Sequence, residues 1–303
     1  MSKVPNINFY SNFAPDYPHA VCLGVTRKLF HVYFNKRVKQ STITEMSDEI
    51  CELAKYTPKE FQRRPRRIDK ELSHFKATEF RLFLLYVGPY LFKKYLPTRL
   101  YNHFMLLHFA IYVLSSEEFF TSLFEQANSC LKVFVSQTED IFGELLLTYN
   151  MHVLLHIPEF VKQHGTLNNF STFEFENYLS RLKLHIRRTR YVSTHVINQA
   201  ANLRSYKFTS PETDLLYSNA YPNNCAFIEN CLSPILIASV DRKNNSVSGY
   251  TLKFKKCLYT YPYSSELLRI GYYCKTLVVK SGTPVKKCYI LPYGNEYLLI
   301  PFC

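Results

Sequence analysis

Apolar residues recur at helical intervals along the first two-thirds of the chain and in short β-prone runs along the last third. Val21, Val25, Leu29 and Val32 with Tyr33 repeat at helical spacing, which predicts a helix from Ala20. Ser47 before Asp48 and Glu49 reads as the N-cap of a short helix to about Tyr56. Residues 57–69 form a basic, proline-interrupted connector. Thr78 and Glu79 open a strongly apolar helix to about Leu96, which Gly88-Pro89 should kink or split. Thr98 opens another through Leu114, and Ser116-Glu117-Glu118 starts a third towards Ser136. Two further helices are predicted over roughly residues 137–164, joined near Tyr149-Asn150, with Gly165 ending the second. Ser171 or Thr172 then caps a helix carrying Glu176.

After about Arg204 the period changes. Residues 250–254, 274–279, 287–291 and 297–301 are β-prone, and turn signals separate them at Asn244-Asn245, Ser281-Gly282 and Tyr293-Gly294-Asn295. The predicted class is α+β, with a mainly helical part over residues 1–203 and a small β domain over 204–303.

Composition narrows the partners. Hydrophobic residues are 47% of the chain, enough for a packed core, so disorder does not dominate. The formal net charge of +13 points to an acidic partner, nucleic acid before an anionic membrane. The excess is spread over both parts, and its densest cluster is Arg63-Arg64-Pro65-Arg66-Arg67. Nine cysteines without a CxxC pair indicate reduced intracellular thiols. The amino-terminal residues lack an apolar signal region, and the apolar run at 104–114 is too short to span a bilayer. A nuclear or cytoplasmic location is therefore expected, with no membrane partner and no small-molecule substrate.

Candidate chemistry concentrates in residues 149–190. His152 and His156 are four apart, the spacing at which two imidazoles on a helix can share one zinc ion. Glu176 sits among aromatic residues. Arg181, Lys183, His185, Arg187, Arg188 and Arg190 follow as a basic run. A structural histidine pair, a carboxylate favoured by a helix N-terminus and a solvated charged face are the plainer alternatives.

Four blocks resemble the CACTA (En/Spm-like) DDE transposases. Asp16, His19, Leu23, Gly24 and Val25 match a D-x-x-H-x-x-x-L-G-V signature. Residues 76–89 are similar to K-A-x-E-F-R-x-F-L-L-Y-x-G-P. Residues 149–156 match Y-N-x-H-x-L-L-H, and 173–179 match F-x-F-E-N-Y-L. The resemblance implies a partial RNase H-like core interrupted by a helical insertion between about Ala20 and Ser136, with Glu176 as the last catalytic acid. It also implies kinship with the recombinase of antigen-receptor gene assembly, in which a zinc site braces the core. The matching positions here are Asp16, His19, His152 and His156. The β-rich tail is similar to the carboxy-terminal extension of animal members.

The family places both catalytic aspartates before the D-x-x-H block, and the 15 residues before Asp16 contain no aspartate. The expectation is therefore the carboxy-terminal remnant of a cut-and-paste transposase that neither cuts nor joins DNA alone. Magnesium would enter only if the missing aspartates were supplied. Its expected partners are DNA, bound through Arg181, Lys183, Arg187, Arg188 and Arg190, and a second copy or a full-length transposase. The alternative is a domesticated, non-catalytic DNA- or chromatin-binding protein.

Overall fold

The computed structural model describes residues 13–176 and 217–303, with Tyr178, Leu179 and Ile197. Its first element is one continuous helix of mixed winding: a wide π-wound stretch Pro18–Thr26, then α1 (Arg27–Val32), then a second wide stretch Tyr33–Arg37. The predicted stripe of Val21, Val25, Leu29 and Tyr33 is buried along it. Helix α2 (Gln40–Leu53) begins seven residues before Ser47. Ile43, Met46, Ile50 and Leu53 extend the apolar stripe straight through that serine, so it does not cap α2. Its hydroxyl instead accepts the Asp69 N–H, at 3.1 Å, from the next short helix α3 (Ile68–Glu71).

The apolar helix after Lys76 is α4 (Ala77–Leu82), a π-wound turn Phe83–Val87, and α5 (Gly88–Tyr95). A proline inside a helix lacks an N–H and crowds the preceding turn, and a widened turn just before Gly88-Pro89 relieves both. Helix α6 (Thr98–Ser115) is buried almost all round and forms the axis of the helical part. Residues 116–123 are turns, so the next helix, α7 (Phe124–Phe142), starts later than Ser116-Glu117-Glu118 suggested and runs on to Gly143. Gly143 has φ of 82°, a conformation that glycine takes without penalty. The predicted joint at Tyr149-Asn150 is therefore the start of α8 (Tyr149–Val153), and α9 (Ile157–His164) ends at Gly165 as expected.

Among the described residues, every strand lies in the carboxy-terminal part. β1 (Cys225–Ile228), β2 (Ile235–Asp241), β3 (Ser246–Cys257), β4 (Gly271–Gly282), β5 (Pro284–Tyr293) and β6 (Glu296–Pro301) close into an antiparallel barrel of order β1-β2-β3-β4-β6-β5. Side chains alternate across these strands. Cys288, Ile290 and Leu299 fill the barrel with Phe227, Leu252 and Tyr273. Tyr289, Leu291, Leu298 and Ile300 face outward and join the core of the helical part. The Tyr112 hydroxyl on α6 donates to the Pro301 carbonyl at 2.6 Å. Lys287 is fully buried at the junction, where its ammonium donates to Asn223 Oδ1 at 2.7 Å and to Glu60. No helix among the described residues is long and apolar enough to cross a membrane.

Candidate functional site

The site begins where the first helix begins. Asp16 stands two residues before Pro18, and both of its carboxylate oxygens are used. Oδ1 accepts the Thr172 N–H at 2.9 Å, across 156 positions of sequence. Oδ2 accepts the His19 N–H at 3.2 Å and bonds the His19 ring at Nδ1. Thr172 opens the helical turn at residues 173–176, so Asp16 supplies the negative end that an exposed helix N-terminus favours. The Ser171 hydroxyl adds a second acceptor, for Phe173 N–H at 3.3 Å. With Nδ1 engaged by Asp16, the other His19 nitrogen, Nε2, faces Glu176 Oε1 at 3.5 Å. The result is an imidazole held between two carboxylates. His19 and Glu176 are about half open to solvent, at 60% and 50% side-chain exposure, and Asp16 is more enclosed, at 21%.

Arg81 on α4 underlies this cluster. Its guanidinium lies over Tyr17 at 5.8 Å and over Phe173 at 5.7 Å from the ring centroids. The two rings meet edge-on at 6.0 Å. Arg81 also donates to Asn168 Oδ1 at 3.0 Å. One cation thus ties the residue after Asp16 to the turn that presents Glu176. Gly24 completes the link to α8. A Cβ at that position would lie 2.5 Å from Asn150 Nδ2 and 2.9 Å from the His19 carbonyl oxygen. Only glycine lets the π-wound stretch and α8 approach this closely.

His152 and His156 form a separate pair. They are exposed, one on α8 and one in the turn before α9, with Nε2 atoms 3.0 Å apart. Two nitrogens bound to one tetrahedral zinc would stand about 3.3 Å apart, so this pair suits two of four ligands. Asp16 and His19 are engaged with each other and with Thr172. Among the described residues no group of three or more His, Cys, Asp or Glu side chains is arranged to hold a metal. The two predicted halves of the zinc set are each paired, but not gathered into one such group.

Arg181, Lys183, Arg187, Arg188 and Arg190 lie outside the described residues. The densest basic cluster in the sequence is partly structural. Arg66 is fastened to the buried Glu79, at 2.6 and 2.9 Å, and Arg67 pairs with Asp48 and Asp69, at 2.6 and 2.7 Å. Arg63 and Arg64 remain exposed. Sequence reasoning missed the roles of Arg81 and Asn150. An arginine inside the apolar run 80–92 was the available signal for Arg81. Asn150 had no signal outside the Y-N-x-H block.

No protein-family model, curated protein or solved structure matches this chain.

Proposed function

We propose that this chain is a DNA-binding protein of transposase descent that keeps the last acidic residue, Glu176, and does not cut or join DNA by itself. The observation that supports it is the meeting of the four sequence blocks. Gly24 of the first packs on Asn150 of the third. Asp16 and His19 of the first engage Thr172 and Glu176, at the fourth. Arg81 of the second lies over Tyr17 and Phe173. Packing alone requires apolar contacts, whereas this cluster keeps a half-exposed Glu176 on a fixed support. An RNase H-like ancestry and a nuclear place of action belong to the same proposal.

The silence on cutting follows from stoichiometry. Phosphoryl transfer stabilises charge on both the attacking and the leaving oxygen, a task for two cations held by several carboxylates. The cluster offers two carboxylates, Asp16 and Glu176, on either side of the His19 ring, fewer than a two-cation site uses. Binding is left to the basic residues, with Arg181, Lys183, Arg187, Arg188 and Arg190 as proposed phosphate contacts. In a mobility-shift assay the protein should retard duplex DNA of any sequence at about 50 mM salt, with affinity falling steeply as salt rises. Glu176→Gln should bind as well as the unaltered chain. Absence of a shift at low salt, or a shift indifferent to salt, would count against the reading.

Zinc is proposed as a structural clip that uses His152 and His156 together with Asp16 and His19. The 3.0 Å approach of the two imidazoles is the supporting geometry. Metal analysis of purified protein should find one zinc per chain, absent when both His152 and His156 become Ala. Zinc-free, fully folded protein would remove the clip.

A further inference from the structure

Cys225 and Cys288 face each other inside the barrel. The β1–β5 ladder pairs Phe227 with Lys286 and Ala226 with Lys287, so its next step sets Cys225 opposite Cys288. Directly opposed residues of an antiparallel pair share one face, with Cβ atoms about 4.5–5.5 Å apart. A disulfide spans Cβ atoms about 3.5–4.5 Å apart, so a small approach of the two strands suffices to form one. Both side chains are fully buried among Phe227, Leu252, Tyr273, Ile290 and Leu299, and both thiols are free. Elsewhere in the barrel Cys257 pairs with Gly271 and Cys274 with Lys253, so neither opposes a second cysteine. β1 is also the strand held by the fewest pairs, two with β2 and three with β5. The second of these ladders closes the barrel, and its register shifts between Phe227 and Ile228. Next to Cys288, the Lys287 ammonium reaches Glu60 and Asn223, so the same seam carries the junction with the helical part.

We propose that Cys225 and Cys288 are a redox couple: a disulfide oxidant of the glutathione class joins their sulfurs and locks β1 to β5, and a thiol reductant releases them. The step is thiol–disulfide exchange. The Cys225 thiolate attacks one sulfur of oxidised glutathione, and one glutathione leaves as its thiolate. The Cys288 thiolate then attacks the Cys225 sulfur of this mixed disulfide, and the second glutathione leaves. The protons of the two cysteine thiols end on the two departing glutathiones. Two thiols thus become one disulfide, and one oxidised glutathione becomes two reduced molecules. Burial, and then the neighbouring Cys288, push the Cys225 thiol up. Exchange needs a thiolate within reach of the oxidant, so it runs in molecules whose β1 has opened locally. On reclosing, the packed core holds a bridge of two sulfurs but not a tripeptide on Cys225, which drives the second attack. Two thiols that merely fill the core as small apolar groups would form no bridge.

The test incubates the unaltered folded chain with oxidised glutathione, with and without urea below the unfolding transition. Remaining thiols are then alkylated and the peptides mapped by mass spectrometry. A peptide linking Cys225 to Cys288 should appear, sooner in the urea samples, and should vanish on reduction. The bridge closes a long loop, so the folded-to-unfolded ratio in urea should rise at least about thirtyfold over the reduced chain. Cys288→Ala should form no such bridge and gain no stability from the oxidant. The peptide map of the unaltered chain decides the matter even where that variant folds poorly. Thiols at 225 and 288 that both remain alkylatable after prolonged exposure would overturn the proposal. So would glutathione that persists on either one, or a bridge from either to a different cysteine. The same rise in stability in Cys288→Ala would overturn it as well. None of these readouts involves DNA, so their failure leaves the proposed function standing.

Discussion

Asp16 shows how one residue can serve both stability and a site. Its Oδ1 closes the N-terminus of the turn bearing Glu176, and its Oδ2 fixes the ring of His19. Removing a capping acceptor costs about 0.5–2 kcal/mol. Asp16→Ala should therefore lower the unfolding free energy by about 1 kcal/mol, while Asp16→Asn, which keeps an oxygen acceptor, should lose less. Urea unfolding of the two variants checks this, and equal midpoints for both and for the parent would contradict the assigned hydrogen bond. The D-x-x-H spacing was visible in the sequence, and so was the need for a cap at Ser171 or Thr172. That the cap would come from Asp16 was not visible, because nothing local encodes a hydrogen bond across 156 positions. Ser47 shows the opposite case. A local cap signal was overridden by the apolar stripe of Ile43, Met46, Ile50 and Leu53, because burial of four side chains outweighs one hydrogen bond.

At the scale of the elements, α6 carries an acid-sensitive pair of histidines. His103 and His108 are fully buried on it, and burial pushes both imidazoles down to about 4 from 6.5. Each donates one ring N–H to a carbonyl, His103 to Phe134 and His108 to Leu84, and its other nitrogen accepts from a tyrosine hydroxyl, of Tyr33 or Tyr259. A second proton would set an N–H against a hydroxyl already pointed at it. Between pH 6.5 and 4 the unfolded chain binds these protons and the folded chain does not. Stability from this source is present above pH 6.5 and is lost as the pH falls towards 4, by about 3 kcal/mol per histidine. The urea midpoint should drop between pH 7 and 4.5, and less in His103→Gln. A midpoint unchanged over that range would contradict the burial of both rings in neutral form. The apolar period announced α6 and its limits almost to the residue. It gave less warning of β1 and β2, whose runs CAFI and ILIASVD are too short to separate from loop or helix without their barrel neighbours.

On the scale of the whole molecule, the helical part and the barrel share one core. Tyr289, Leu291, Leu298 and Ile300 pack with the helices, Lys287 joins Glu60 and Asn223, and Glu118 holds both Lys286 and Arg269. The change of period near Arg204 foretold two classes of element. It did not foretell this union, since the outward apolar positions of β5 and β6 read in sequence like any half-buried strand. The four blocks meet on the helical side of that union, and the account of the chain as a DNA-binding protein without cutting activity stands or falls there. The most direct measurement is a nicking assay of purified protein on a transposon-end duplex with Mg²⁺ or Mn²⁺, run beside Glu176→Gln. The account predicts bound, uncut DNA for both proteins. Nicking by the unaltered chain that disappears in Glu176→Gln would contradict it, and would mean that other carboxylates of this chain complete a two-metal site around Glu176.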